Sequence, residues 1–332
     1  MIIKKRGIPG AFAGLASLVS RISESDEVFK RIKSDYKNSR AGFAGELKVD
    51  NFLEELELKM PYYVLQNLNI RVGKKEVQID TVIIHPNFIM IIEIKNMRGE
   101  FYFDPVNKHF YRLSDVGKKE GMRNPESQLS RSTTIINSFL RGKGIEMSAN
   151  GLIVFVSRAG IVMQASEKRE TIPLDSLVEY IEFLENRTKR VMPTEKCKRL
   201  ALELLAEDRP EELVSIVDFY NVSIDKVKKG VRCPECSTIP MLRKHSRWYC
   251  EKCGKESRDA HLNTLKEYRL LFGPEITSRS AIEFMQHNSI YFAIRVLNNN
   301  AEIKKAKARY RLFQISDEKH LLSEFIWAEL KN

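Results

Sequence analysis

The chain has 332 residues, with 55 Lys+Arg against 44 Asp+Glu, 43% hydrophobic and 30% charged residues, and a formal net charge of +11. That length fits two or three domains, the composition argues against whole-chain disorder, and no apolar run approaches the ~20 residues of a membrane span. Five cysteines, four of them crowded between 233 and 253, argue against a secreted disulfide framework and for a reducing, cytoplasmic setting with a metal site.

Residues 1–6 are basic and 11–19 apolar, a faint imitation of a signal peptide. Gly7, Pro9, Gly10 and Gly14 interrupt it, and a charged stretch from Arg21 to Arg40 follows, so the segment reads as a surface-packed N-terminal helix rather than a secretory signal or a membrane contact. Sparse apolar positions at Val28, Phe29, Ile32 and Tyr36 predict a polar helix over 24–40. A second helix begins at Gly42, carries Leu47, Val49, Phe52, Leu53 and Leu56 on one side, and ends at Met60-Pro61. Strands are predicted over 62–67, 76–85, 88–95 and 100–103, continuing into 110–113, and a buried strand over 151–156.

Further helices are predicted over 124–140, with Pro125 in the first turn, and over 174–184, 194–205 and 211–220. The order is that of an α/β domain with small modules appended. The expected division is a helical leader (1–40), an α/β core (41–157), a helical extension or linker (158–230), a cysteine module (231–257) and a mostly helical tail (262–330).

The most informative stretch is 77–95, two β-branched runs flanking Pro86-Asn87. It reads as a hairpin with a four-residue loop around a type I turn, because proline cannot take the positive φ of a two-residue primed turn. Asp80 then faces Glu93, and Gln78 faces Lys95. All four project from one face, whose remaining positions toward the turn are Val82, Ile84, Ile89 and Ile91. Two opposed carboxylates lie within reach of one divalent cation, and a cation or the Lys95 ammonium would relieve their repulsion. An exposed, charged strand end accounts for the same residues by periodicity alone. The nearly continuous apolar character of both strands weighs against it.

Asp80 followed by Glu93-Ile94-Lys95 resembles the D…(D/E)xK signature of restriction-endonuclease-like nucleases. More narrowly, the stretches 41–46 (AGFAGE), 77–80 (VQID), 92–95 (IEIK) and 124–128 (NPESQ), with the opening residues 1–6, resemble the bacterial NERD, or nuclease-related, domain over residues 1–157. The resemblance implies a restriction-endonuclease-like core, a mixed β-sheet flanked by helices, and a metal-dependent phosphodiesterase. In it Asp80 and Glu93, with the Ile94 carbonyl, would ligate Mg²⁺ or Mn²⁺. Glu46 would be a further ligand or orient the metal's water, although a helix N-terminal acid complementing the macrodipole explains it too. Lys95 would stabilise charge on the phosphate or help generate hydroxide, and Gln78 and Gln128 would position substrate or water.

Cys233-x-x-Cys236 and Cys250-x-x-Cys253 form two tight turns able to aim four thiolates at one structural Zn²⁺, with Gly254 fitting the turn after the last cysteine. Arg243, Lys244, Arg247 and Trp248 interleave basic and aromatic groups nearby, as a nucleic-acid contact would. A folding staple with a charged skin reads equally well. Cys197 reads as a lone, inert thiol in a helix. In the tail, Thr277 and Ser289 suit helix N-caps, and Lys304, Lys305, Lys307, Arg309 and Arg311 lie on a strand-like run. Helix, turn, helix and basic strand resembles a winged helix-turn-helix, with 289–297 in the major groove and 304–311 along the phosphates; a plain helical cap is the alternative.

The expected function is therefore a cytoplasmic, bacterial, Mg²⁺-dependent nuclease acting on DNA, or RNA, with the zinc ribbon and tail holding substrate. The rival readings are a non-catalytic nucleic-acid-binding or regulatory protein on the same fold, and a nuclease that needs a helicase or other DNA-processing partner.

Overall fold

The computed structural model describes residues 1–72, 75–114, 116–209, 215–307 and 310–315. In chain order the elements are β1 (Ile2–Lys4), α1 (Gly10–Val19), α2 (Phe29–Glu54), β2 (Tyr63–Val72), β3 (Lys75–Ile84), β4 (Ile89–Lys95), β5 (Gly99–Phe103), β6 (Phe110–Leu113) and β7 (Lys119–Met122). There follow α3 (Pro125–Gly142), β8 (Ala149–Phe155), β9 (Gly160–Gln164), β10 (Glu170–Pro173), α4 (Leu177–Arg187), α5 (Thr194–Ala206) and α6 (Ile216–Phe219). The chain forms two compact units: Met1–Gly7 with Ala41–Glu211, and Ile8–Arg40 with Glu212–Asn332.

The first unit is built on a six-stranded mixed sheet in the order β1-β2-β3-β4-β8-β10. The β2-β3-β4 meander is antiparallel, and β1, β8 and β10 are added in parallel. Its strands are rich in Val and Ile because both faces are covered. On one face Val49 and Leu53 of α2 and Leu177 and Ile181 of α4 pack with Val64, Ile83, Met90, Ile92 and Val154. On the other, Leu129, Ile136 and Leu140 of α3 and Leu200 and Leu204 of α5 pack with Leu65, Val82, Ile84, Ile89, Ile91 and Ile153. Phe101, Phe103 and Phe110 join that second core from a four-stranded sheet, β7-β6-β5-β9. Cys197 of α5 is fully buried, and burial pushes its thiol up to about 11, which leaves it inert.

The turn end of β3 and β4 is clamped. His85 Nδ1 accepts the Asn87 N–H at 3.1 Å, which assigns the ring proton to Nε2, and Nε2 donates to Glu185 at 3.0 Å. The Glu185 carboxylate also accepts the Lys59 and Met60 N–H groups, and the Asn87 amide donates to the Glu185 and Thr188 carbonyls.

Several elements differ from the sequence reading. The two helices expected over 24–56 are one continuous α2, because Gly42 and Gly45 lie inside it without breaking it. Gly45 is there for a close approach: a Cβ at that position would fall 2.4 Å from the Asn96 Cβ, and Asn96 Nδ2 donates to the Ala41 carbonyl at 2.7 Å. Helix α1 is not surface-packed. Phe12, Ala13, Leu15, Ala16 and Leu18 are all buried, and Leu15 and Leu18 share a core with Val217, Leu271 and Phe284. The stretch 158–173 carries β9 and β10 rather than helix.

The second unit continues with β11 (Leu242–Lys244), β12 (Arg247–Tyr249) and β13 (Glu256–Ser257), a small antiparallel sheet around the cysteines. Then come α7 (Ala260–Phe272), β14 (Glu275–Thr277), α8 (Ser278–Met285), α9 (Ile290–Asn300), β15 (Ala301–Lys307) and β16 (Tyr310–Ile315), with the strands in the order β14-β16-β15. The Thr277 and Ser289 hydroxyls cap α8 and α9 as expected, each accepting a backbone N–H. Inside the unit, Glu267 takes Arg21 Nε and Arg232 Nε at 2.5 Å each; burial works against its charge, but the two guanidiniums hold it below the ordinary glutamate range. Among the described residues no helix is long and apolar enough to cross a membrane.

Candidate metal sites and basic surfaces

Strands β3 and β4 pair in the expected register, from Ile84 opposite Ile89 to Thr81 opposite Ile92, and His85 and Phe88 exchange backbone hydrogen bonds across the four-residue loop. The ladder stops there. On the other side of β3, pairing with β2 runs through Gln66–Thr81 and Leu68–Ile79 but skips Asn67 and Asp80, and Asn67 takes a left-handed φ of 51°. Asp80 thus sits where both ladders open. Its side chain turns to the next strand, and Oδ2 accepts the Ile94 N–H at 2.8 Å.

Two cations frame the acids. Lys95 Nζ donates to Glu93 Oε1 at 2.7 Å and to Gln128 Oε1 at 2.9 Å, the latter presented by α3, whose start is fixed by Pro125 and the Asn124 cap. The second cation was not found by sequence reasoning: Arg6, just beyond β1. Its guanidinium, 1% exposed, donates to Glu46 (2.9 Å), to both oxygens of Asp50 (2.8 and 3.1 Å), to the Asp80 carbonyl (2.9 Å) and to Thr81 Oγ1 (3.1 Å). The available signal was the spacing of Glu46 and Asp50, four apart on one helical face, with a basic residue in the leader. Gln78 is not drawn into this network; it donates to Asn67 Oδ1 at 2.8 Å.

Four carboxyls in so little water resist ionisation. Burial, then the charge of Asp80, pushes Glu93 up to about 7. Burial pushes Glu46 up to about 7 against the pull of Arg6. Burial also raises Asp80 and Asp50. Arg6 loses by burial but gains more from Asp50, Glu46 and Asp80, and its basicity is raised. Glu46, Asp80 and Glu93 do not converge within 4.8 Å as the cysteines do; each is held by its own partner. The donor set is oxygen only and anionic, which suits a hard cation such as Mg²⁺ or Mn²⁺.

The four cysteines do converge. Their sulfur atoms lie within 4.8 Å of one another, at 3.6 Å between Cys233 and Cys253 and 3.5 Å between Cys236 and Cys250. Thiolates about 2.3 Å from a tetrahedral zinc stand roughly 3.8 Å apart, close to that spacing. The turns are set by Ser237 and Gly254, both at positive φ, with N–H groups bonded to the Cys233 and Cys250 carbonyls.

The basic and aromatic residues assigned to nucleic acid divide. Trp248 is 1% exposed, and its Nε1 donates to His261 Nδ1 at 3.1 Å, so its ring is core and offers no face to a base. Burial, then Arg243, pushes His261 down to about 4, which keeps it the neutral acceptor this bond needs. The Arg243 guanidinium lies over the Trp248 and Phe292 rings, at 4.9 and 5.1 Å. Lys244, Arg247 and Lys304 are exposed, though Arg247 pairs with Glu256 and Lys304 with Glu275. Arg311 is exposed on β16, Lys305 and Lys307 belong to β15, and Arg309 falls outside the described residues. Helix α9 adds residues not singled out in the sequence: Tyr291, Arg295, Asn298 and Asn299 all lie on its exposed side.

No curated protein and no solved structure matches the chain. The nuclease-related domain family does match, over residues 41–156, the segment that spans Glu46, Asp80, Glu93, Lys95 and Gln128. The chain therefore carries a NERD-domain region at 41–156, and beyond it a four-cysteine cluster able to hold a metal, consistent with a zinc-ribbon-like module.

Proposed function

We propose that the protein is a divalent-metal-dependent nuclease that hydrolyses phosphodiester bonds of DNA. The observation that supports this reading most is the placement of Asp80 and Glu93 just past the last β3–β4 pair of a largely buried, apolar hairpin, with Lys95 beside them. Asp80 and Glu93, with the Ile94 carbonyl, would hold the ion, and Glu46 would flank it. Such an ion, when bound, supplies Lewis-acid neutralisation of the phosphate and lowers the pKa of water.

The chain's own groups do the rest. Lys95 Nζ, moved off Glu93 Oε1 once that oxygen is engaged, would donate to a non-bridging phosphate oxygen as charge develops there. Gln128 keeps the ammonium aimed during that exchange, since it holds Nζ from a different element. The Ile94 N–H bond fixes the Asp80 carboxylate before substrate arrives, which is the preorganisation that charge stabilisation requires.

Substrate would be held by the second unit, with zinc on the four cysteines as a closed, structural site. The order helix, strand, helix, helix, strand, strand over α7 to β16, with β16 between β14 and β15, supports a winged-helix reading of the tail. Arg295, Asn298 and Asn299 on the exposed side of α9 would then face base edges, and Lys304 and Arg311 would suit phosphates.

The test is cleavage of linear and circular, single- and double-stranded DNA by the purified full chain with Mg²⁺, Mn²⁺ or EDTA, beside Asp80→Ala. Metal-dependent cutting lost in the variant supports the reading. Binding without cutting under every condition would replace it with a binding module or a partner-dependent nuclease.

A further inference from the structure

We infer that Arg6 acts as a built-in cation of the acidic site and limits it to one divalent ion, a statement that rests on the nuclease reading above. Four carboxylates lie near the open end of the sheet without converging, Glu46 and Asp50 of α2 linked through Arg6 to the Asp80 carbonyl of β3, and Glu93 of β4 beside Asp80. Two cations reach them by direct hydrogen bonds: Lys95 on Glu93, and Arg6 on Glu46 and Asp50. Fully ionised, the four acids with these two hydrogen-bonded cations carry a net charge of two negative, which one divalent ion cancels, and the nearby charge of Arg123 on Glu93 disfavours a second further. A second would leave excess positive charge in a buried place, where uncompensated charge is expensive.

The geometry divides the acids in the same way. Arg6 binds Asp50 through two parallel N–H···O bonds, the fork geometry that fixes both partners, and spends its remaining donors on Glu46 and on the Asp80 carbonyl. A guanidinium needed only to neutralise Asp50 has no reason to reach Glu46. The Asp80 carbonyl is available to it because the ladders skip that residue. Arg6 is in turn pinned from behind, its backbone N–H bonded to Gln66 Oε1 at 2.9 Å. The side chain is thus held in place and cannot be displaced by an entering ion without breaking the whole set. Arg6 takes both oxygens of Asp50, while Glu46, Asp80 and Glu93 each keep one carboxylate oxygen outside these bonds. Arg6 is a positioning residue in this scheme: it touches no reacting atom, and it decides how many ions the acids can take.

The experiment counts ions rather than turnover. Mn²⁺ is titrated into the zinc-loaded full chain and quantified by electron paramagnetic resonance, with Asp80→Ala run in parallel to subtract ions held elsewhere. The expected count is one per chain for the unmodified protein and for Arg6→Lys, which keeps the charge, and more than one for Arg6→Met, where a second ion would leave an excess of one positive charge instead of two. Two ions per chain in the unmodified protein would overturn the inference whether or not Arg6→Met folds. So would an unchanged count in an Arg6→Met protein that still melts cooperatively. A count that Asp80→Ala leaves unaltered would remove the nuclease reading and this one with it, whereas two ions, both lost in Asp80→Ala, would remove this one alone.

Discussion

The Asp80 carboxylate accepts the backbone N–H of Ile94 at 2.8 Å across two strands that have ceased to pair at that level. The bond does the work of a missing ladder rung. It satisfies an amide that β3 no longer serves and aims a carboxylate at the opening between the strands.

Asp80→Asn keeps an acceptor for that amide and removes the charge. Cleavage is expected to fall by at least about 10³-fold, with DNA binding retained and the thermal midpoint little changed. Turnover with Mg²⁺ beside a salt-dependent binding curve checks both. A large fall in the midpoint would mean that Asp80 serves the fold rather than the chemistry.

Gln128→Ala leaves Lys95 with Glu93 as its remaining side-chain partner. Cleavage should drop about tenfold, through loss of orientation rather than of the cation. Lys95→Ala should cost about 10²–10³-fold. Single-turnover rates for the two variants separate them, and equal losses would contradict the division of roles.

Glu93 is held up to about 7 by burial and by Asp80, and its unfolded value is near 4.5. The folded chain therefore binds this proton more tightly than the unfolded chain does. Its favourable effect on stability is complete below about pH 4.5, declines as pH rises toward 7, and stays lost beyond. Without Mg²⁺ or Mn²⁺, Glu93→Gln should raise the melting temperature at pH 8 and leave it nearly unchanged at pH 4. Glu46, also near 7, predicts the same trend.

Removing zinc should unfold the cysteine module and expose Trp248, now 1% exposed. With Trp327→Phe to isolate it, its fluorescence should shift to the red on chelation, while the circular dichroism of the α/β core largely persists. Retention of the blue emission would show that the module folds without metal.

Arg295→Ala on α9 should weaken duplex binding and lower the slope of log affinity against log salt by about one if it meets a phosphate. If it meets a base edge, the slope should hold and the sequence preference should relax. No change in either measurement would remove α9 from the interface.

The hairpin and its register were legible because β-branched runs and a proline turn leave few alternatives, and the cysteine cluster because its spacing is its chemistry. Three features were not legible, for different reasons. Strands β9 and β10 are short, and exposed Ile161 and Met163 give no clean alternation. The buried character of α1 is set by residues more than 190 positions away, Val217 and Leu271 among them. Arg6 looked like one basic residue in a basic leader, and only the pairing of β1 with β2 carries it to the acids. Trp248 failed in the opposite sense: an aromatic among basic residues suggests stacking, yet its ring is buried in the core of the second unit.

The clamp at His85, Asn87 and Glu185 lies at the far end of the strands from Asp80 and Glu93, yet it holds the register that sets those two acids side by side. Because alternate residues of a strand point to opposite faces, inserting or deleting one residue in 85–88 would carry Thr81 or Ile92 into the position of an acid. Every motif residue would survive such an indel, and the site would not. The proposed chemistry therefore depends on the length of the turn as much as on the identity of the motif residues.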